Sequence, residues 1–577
     1  MKAADVIIRV LEEEGIEYVF GFPGGSIDEI NTALFNSSKV KSIVPKREEG
    51  AAYMADGYAR VSGKTGVCCS TAGPGAANLI TAIATSYVDG IPVCALTGQV
   101  PLSLFGKGAY HESGTEKINL VSIFHNITKF SSMLASEERT QYLIEKAIRM
   151  ARSIPSGPVH LSLPGDVMGK EAPAMSPTNP KFEERLFDRK GVKSAAELLV
   201  SAKRPAIIAG WGVVLSRGDK ELLALAELLD IPVATSPKAK GIFPETHPLA
   251  LGIVGFAGSP VSERYIIRED IDVLLAVGLS FNEFTTGGWD ERLPPTKNLI
   301  HIDIDAEKIG KNYLTEVGVA GDARTVLNEL IYAVKREISS DADDNKKPVQ
   351  ELDERRANTR SEVKAIKTEL ASADKPPERG EALYNPHNLI LDIQEFFPKD
   401  TVFFAEIGNI MAWTIRYMVI EKPYSFFVSI GFGGMGYATA AAVGAKLAVK
   451  DQPVVVMAGD GGFLMTGCEV ATAVNYNIPV IWIVFNNAMY GMIYHGRKMF
   501  GNVPEGIPSR FKRVDYVKVA EGLGARGIKI EKPEQFTSDL VQDILAQGRP
   551  TLLDVWIDEE MVPPIARRIA SMEKHFA

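Results

Sequence analysis

A chain of 577 residues is too long to enclose one hydrophobic core, and its length predicts about three to four domains. Apolar residues make up 46% and charged residues 23%, the balance of an ordinary globular protein, while the net charge of −9 argues against a nucleic-acid partner. No apolar run approaches the ~20 residues that span a bilayer, which argues against a membrane-embedded role.

The N-terminus, MKAADVIIRVLEEEGI, is amphipathic with acids early, unlike a signal or transit peptide. Cys68, Cys69, Cys94 and Cys468 show no metal spacing and read as reduced core thiols of a cytoplasmic protein. Residues 1–168 alternate helical periods with the strands YVFGFPGG, KSIVPKREEG, TGVCCSTAGPG, IPVCALTG and GPVHLSLP. Many of these runs end in glycine or proline, which gathers loops at the carboxyl ends of the strands, where open α/β sheets bind ligands. After a polar break, residues 190–335 form a second unit with strands AIIAGWG, DVLLAVG and NLIHIDID. Residues 336–384 are highly charged and predict a solvated linker containing some helix. A third unit, 385–560, carries TVFFAEIG, PVVVMAGD, PVIWIVFNN and PTLLDVWID, and a tail, 561–577, either covers an active site or forms a surface helix. The predicted class is α/β, with three doubly wound parallel sheets.

The third unit contains the most informative stretch, GDGGFLMTGCEVATAVNYNIPVIWIVFNN. GDGG alone is also simply a tight turn between strand and helix. Backbone N–H groups of such a turn attract an oxyanion, yet Asp460 sits where that anion would lie, and like charges need a cation between them. The next strand delivers Asn486 and Asn487 to the same edge. Asp460 and Asn487 are hard oxygen donors suited to Mg²⁺ or Ca²⁺ bridging a diphosphate.

GDG followed by NN resembles the pattern of the thiamine-diphosphate enzymes. The blocks GFPGGSIDEI, REEGAAYMADGYARVSGKTGV, TAGPGAANLITAIATSYVDGIPVCALTGQVP, HIDIDAEKIGKN and GFGGMGYATAAAVGAKLA are similar to the acetolactate synthase and pyruvate oxidase group, and the similarity covers nearly the whole chain. It implies a pyrimidine-binding, a central and a diphosphate-binding domain, with thiamine diphosphate and Mg²⁺ as cofactors and FAD or ADP in the central domain. Active sites of this group form between two subunits, which implies a homodimer or homotetramer. Whether a regulatory subunit exists is not legible. The implied substrates are pyruvate or another small 2-keto acid.

Residue by residue, the resemblance implies that Glu48, in REEGAA, bonds the aminopyrimidine and activates the cofactor; paired acids at a helix start are otherwise solvated. Gly24 and Gly25 would approach the pyrimidine, with Gly73 and Asn78 of TAGPGAAN as further cofactor contacts. Gly408 and Asn409 would meet the diphosphate, Gly433 and Met435 the thiazolium side, with Met435 propping the cofactor into a bent shape. Asp460 and Asn487 with the Met489 carbonyl would hold the metal, Gly461 and Gly462 would add backbone donors, and Tyr490, Gly491 and Met492 would complete the cofactor contacts. His111 would face a substrate oxygen or shift the local proton balance, and Lys129 would attract a carboxylate or else lie at the surface.

Ile493 stands where simple decarboxylases of the family carry an acid, and no HH pair occurs, so carboligation is favoured over aldehyde release. Gly496 replaces a tryptophan that shapes the acceptor pocket in acetolactate synthases. SFNEF, at 280–284, lacks the arginines of their flavin-binding run. A thiamine-dependent lyase or acyltransferase and a flavin-dependent pyruvate oxidase are the alternative functions.

Overall fold

The structure is a computed structural model that describes residues 1–176, 187–268, 270–293, 298–344, 347–372, 375–378, 383–501 and 508–576. It contains three six-stranded parallel sheets. The first comprises β1 (Tyr18–Gly21), β2 (Lys41–Ile43), β3 (Gly66–Ser70), β4 (Val93–Gln99), β5 (Phe130–Met133) and β6 (Val159–Pro164), in the order β2-β1-β3-β4-β6-β5. The second comprises β7 (Pro205–Ala209), β8 (Val233–Thr235), β9 (Ala250–Ile253), β10 (Val273–Val277), β11 (Asn298–Asp303) and β12 (Val317–Ala320), in the order β12-β11-β10-β7-β8-β9. The third comprises β13 (Val402–Ala405), β14 (Phe426–Val428), β15 (Val454–Gly459), β16 (Val480–Asn486), β17 (Arg526–Ile530) and β18 (Thr551–Trp556), in the order β14-β13-β15-β16-β18-β17.

Most of these strands are apolar along their length because helices cover both sheet faces. The first and third sheets share one order, in which the winding reverses between β1 and β3 and between β13 and β15. The central sheet has the dinucleotide-fold order, with its reversal between β7 and β10. Each reversal opens a crevice at the carboxyl ends of the strands, the place where such sheets bind ligands.

The first and third units lock together through two helices, Glu48–Ser62 and Tyr437–Ala448. A Cβ on Gly57 would lie 2.1 Å from the Ala441 carbonyl oxygen, and one on Gly444 would lie 1.9 Å from that of Met54. The backbones touch, and only glycine fits at either crossing point. Beside this contact Arg60, fully buried, pairs with Asp56 at 2.5 Å and Asp89 at 2.8 Å. Asp89 also takes the Lys238 ammonium and the Ser429 hydroxyl, both at 2.7 Å, while Tyr437 and Ser86 each donate to Asp56 at 2.8 Å. Burial pushes the Asp89 carboxyl up, but Lys238 and then Arg60 outweigh it and hold the group well below the carboxylate range. The cluster draws side chains from all three units.

One segment differs from the sequence expectation, and for the tail the sequence leaves two readings open. The charged stretch expected as a solvated linker contains the helix Lys347–Leu370, which is docked on the central unit. Its Val363 and Ile366 are buried, and Arg355 donates to the Leu199, Ala202 and Leu229 carbonyls. The tail forms the helix Ala566–Phe576, with Ile565 and Ile569 in the core of the third unit.

Arg60→Met keeps most of the side-chain volume and leaves two buried carboxylates without their shared cation. Denaturant titration should show a loss of about 3–5 kcal/mol.

Candidate active site

The crevice between β13 and β15 gathers most of the third unit's candidate residues. β15 ends at Gly459, paired with Phe485 of β16, so Asp460 lies level with the asparagine pair that closes β16. The Asp460 carboxylate is buried and accepts three backbone N–H groups, from Gly461 at 2.8 Å, Asn487 at 3.1 Å and Ala488 at 2.6 Å. The last contact needs a left-handed backbone at Ala488, φ 57°, which bends the chain back over the turn. Burial lifts the carboxyl to about 6 despite these bonds. Tyr516 donates to the Asp460 carbonyl at 2.9 Å and fixes the turn from below.

The two asparagines divide their roles. Asn486 donates to Asp554 at 2.8 Å and to the Val514 carbonyl at 3.1 Å, so it is a structural brace. Asn487 has no side-chain hydrogen-bond partner among the described residues and retains its full bonding capacity.

Close approaches explain the glycines here. A Cβ on Gly461 would lie 2.6 Å from the Tyr490 ring, one on Gly462 2.8 Å from Glu406, and one on Gly491 2.5 Å from the Asn409 amide nitrogen. By contrast, a Cβ on Gly408, Gly433 or Gly459 would meet nothing within 4 Å, so open space lies over these turns. Asn409 opens the helix Asn409–Tyr417, and its buried Oδ1 has no partner among the described residues. Met435 is half-buried in the loop before Tyr437, and Met492 packs on the core of the third unit.

Among the described residues no three His, Cys, Asp or Glu side chains cluster as a metal cage. One carboxylate, one amide and a backbone carbonyl nevertheless suit Mg²⁺, which keeps waters and takes its remaining oxygens from phosphates. The buried anion of Asp460, which pairs with no cationic side chain among the described residues, and the open space over the neighbouring turns fit a cation with a diphosphate.

Sequence reasoning missed two buried acids. Glu406, at the end of β13, accepts the N–H groups of Ile407 at 3.0 Å, Ala438 at 3.1 Å and Thr439 at 3.4 Å. It caps the helix Tyr437–Ala448 and backs the Gly462 turn, and burial raises it to about 7. An acid closing an apolar strand, TVFFAE, was its only sequence signal. Glu469 of the third unit accepts from the Lys46 and Arg47 backbones and so caps the helix that begins with Glu48. Gly50 admits it, since a Cβ there would lie 2.2 Å from its Oε1.

A second cluster occupies the β1/β3 crevice. Glu48 is half-buried and accepts from the Asn78 amide at 3.1 Å. Gly24 lies against Thr71, with 2.5 Å for an added Cβ, and Gly25 faces open space. Gly73, at φ 61°, packs beneath His111, itself left-handed at φ 65°. Lys129 is placed elsewhere. Its ammonium donates to the Met150 and Ser153 carbonyls at 2.7 and 2.5 Å and to the Ser153 hydroxyl at 2.8 Å, closing the end of the helix Thr140–Arg152. All three donors are engaged, which leaves none for a substrate carboxylate, and burial lowers the group to about 8. Among the described residues, no hydrogen bond or ion pair joins the Glu48 cluster to the Asp460 cluster.

Comparison with known proteins gives the same three-part division. Residues 1–119 match the N-terminal TPP binding domain of thiamine pyrophosphate enzymes, residues 192–330 their central domain, and residues 406–555 their C-terminal TPP binding domain. The chain is 37% identical to a probable acetolactate synthase large subunit of Methanocaldococcus jannaschii, over 98% of this chain and 94% of the relative. It is 32% identical to an acetolactate synthase of Mycobacterium bovis, over 98% and 90%. Against the acetolactate synthase isozyme 3 large subunit of Escherichia coli identity is 30%, over 100% and 98%.

Glu406 provides a pH test. Its folded-state value of about 7 lies above the ordinary 4.5, so the folded chain holds a proton that the unfolded chain has lost. Stability should therefore fall as pH rises between these values, by about 3 kcal/mol, and level off above. Glu406→Gln, which cannot titrate, should lose that slope when both proteins are denatured at about pH 5 and about pH 8.

Proposed function

The chain belongs to the thiamine pyrophosphate enzymes, in the group of acetolactate synthase large subunits, and we propose that it is a carboligase that decarboxylates pyruvate or a similar small 2-keto acid and joins the acyl fragment to a second carbonyl. The Asp460–Asn487 turn at the β13/β15 crevice carries this reading. Bound thiamine diphosphate would supply the carbanion and the electron sink that the reaction needs. Asp460, Asn487 and the Met489 carbonyl would hold Mg²⁺ against the diphosphate, with Gly408, Asn409, Gly461 and Gly462 around it and Tyr490, Gly491 and Met492 alongside. Glu48 would hold the proton at its carboxyl, oriented by Asn78, beside Gly24, Gly25 and Gly73. Met435 and Gly433 would shape the thiazolium side, and His111 would face the substrate. Lys129 is omitted from the catalytic set. Ile493 offers no proton, which favours carbon–carbon bond formation over release of an aldehyde.

The two clusters are separate half-sites, and a complete site then takes one half from each of two copies. Exposed apolar side chains near the second half-site, Phe432, Leu464, Met465, Tyr490 and Ile493, support burial against a partner. A homodimer or homotetramer follows, and the relatives' name, large subunit, favours a separate regulatory subunit. A cytoplasmic location completes the reading; among the described residues no helix is long and apolar enough to cross a membrane. In the central unit the dinucleotide-type strand order and the buried hydroxyl of Thr235, at the end of β8 and without a partner among the described residues, support FAD or ADP. Visible absorbance of the purified protein separates the two. Dye reduction with pyruvate would mark the oxidase alternative.

Purified protein with thiamine diphosphate and Mg²⁺ should release carbon dioxide and form acetolactate from pyruvate, and unchanged pyruvate would overturn the substrate assignment. Glu48→Gln should lower kcat by about 10²- to 10⁴-fold. A chelator should abolish turnover and Mg²⁺ restore it, whereas Asp460→Ala should not be rescued at the same metal concentration.

A further inference from the structure

His495 lies on the helix Gly491–Met499, just past the metal turn, with no exposed surface. Its Nε2 stands 3.0 Å from the Glu559 carbonyl and its Nδ1 2.8 Å from the Asn409 amide nitrogen. A carbonyl can only accept, so Nε2 carries the proton. The neutral ring then has a lone pair at Nδ1, which accepts from Asn409. This fixes the Asn409 amide with its nitrogen on the imidazole and its buried Oδ1, which has no partner among the described residues, on the opposite side. An acceptor so placed suits a donor such as a cation-bound water, not a phosphate oxygen.

Glu559 opens the C-terminal segment. Its carboxylate pairs with Arg510 at 2.9 Å, and Glu560 pairs with Lys498 at 2.6 Å. The helix Ala566–Phe576 then runs between two units. Ile569 lies 3.8 Å from where a Cβ on Gly496 would stand, while Arg567 pairs with Glu263 of the central unit and Arg568 stands 4.6 Å over the Phe284 ring. The segment is a strap, and His495 connects it to the cofactor edge.

We propose that His495 is a positioning residue that transmits the seating of this strap to Asn409 and so orients the amide at the diphosphate half-site; the inference rests on the cofactor proposed above. Burial lowers the imidazole from its ordinary value, and Lys498 and Arg510 add to this against the Glu559 carbonyl and Glu560, which favours the neutral ring.

The test is equilibrium binding of thiamine diphosphate to the full chain in Mg²⁺, together with hydrogen exchange of residues 558–576. His495→Leu should raise Kd by about 10- to 100-fold and speed exchange in the strap. His495→Gln, with one donor and one acceptor in a plane, should return Kd to within about threefold of the parent. Ile569→Ala, which loosens the strap without touching the imidazole, should also weaken binding. A His495→Leu protein that binds like the parent overturns the proposal. So does a loosened strap in Ile569→Ala with Kd unchanged, or weakened binding in His495→Leu that glutamine does not rescue. Absence of binding by the parent protein would instead overturn the cofactor assignment.

Discussion

The arrangement of the three units depends on one buried guanidinium. Arg60 lies between Asp56 and Asp89 with no solvent to screen it, and the cost of burying three charges is offset only because every carboxylate oxygen finds a donor. Those donors come from different units: Lys238 from the central one, Ser429 and Tyr437 from the third. Trp211 adds its indole N–H to the Asp89 carbonyl, and its ring and that of Tyr437 lie 5.4 and 5.1 Å from the guanidinium carbon. A shift of any unit would strand a buried charge, so the junction specifies relative placement more than it adds stability.

That junction reaches the chemistry through two helices. Glu48 opens the helix that carries Asp56 and Arg60, so its Cα lies about 18 Å from that of Arg60 along the axis of a single rod. Tyr437 opens the partner helix and carries its hydroxyl to Asp56. Each helix start is capped by a buried acid of the third unit, Glu469 for the first and Glu406 for the second. Two sheets of identical order thus present two equivalent crevices, and only the loop chemistry distinguishes them. One crevice keeps a hydrogen-bonded carboxyl at its edge. The other keeps an oxygen set around a buried anion. Backbone N–H donors alone leave Asp460 above its ordinary value, and a cation beside it would reverse that shift.

The sheets and the two crevices were legible because strand hydrophobicity and glycine-ended turns are local signals. The role of residues 347–370 was not legible. Their charge masks Val363, Ile366 and Arg355, and composition cannot report which face a long helix buries. Lys129 shows the limit of motif matching, since a matched position does not say where its ammonium points. The adjacent asparagines divide their roles in a way that spacing alone does not report: Asn486 is engaged with Asp554 and Val514, while the Asn487 side chain has no partner among the described residues. Glu406 and Glu469 escaped notice because a lone acid acquires meaning only from the helix start it meets, which lies distant in sequence.

The tail raised a question that sequence left open, and relative magnitudes decide what holds it. Arg567 and Glu263 are 30% and 48% exposed, and a pair of that kind contributes about 0–1 kcal/mol. Ile565 and Ile569 are 2% and 6% exposed, and burying each contributes about 1.5–3 kcal/mol. The strap is therefore an apolar element with charged trim, and salt should loosen it little. Its Ile569 borders Gly496, the position where the resemblance expects a pocket-shaping tryptophan. A Cβ at 496 would meet only the Ile569 methyl, so the wall there is built jointly by a small residue on the site helix and a branched one on the strap. A larger residue at 496 would press on that methyl and so act on the seating of the strap.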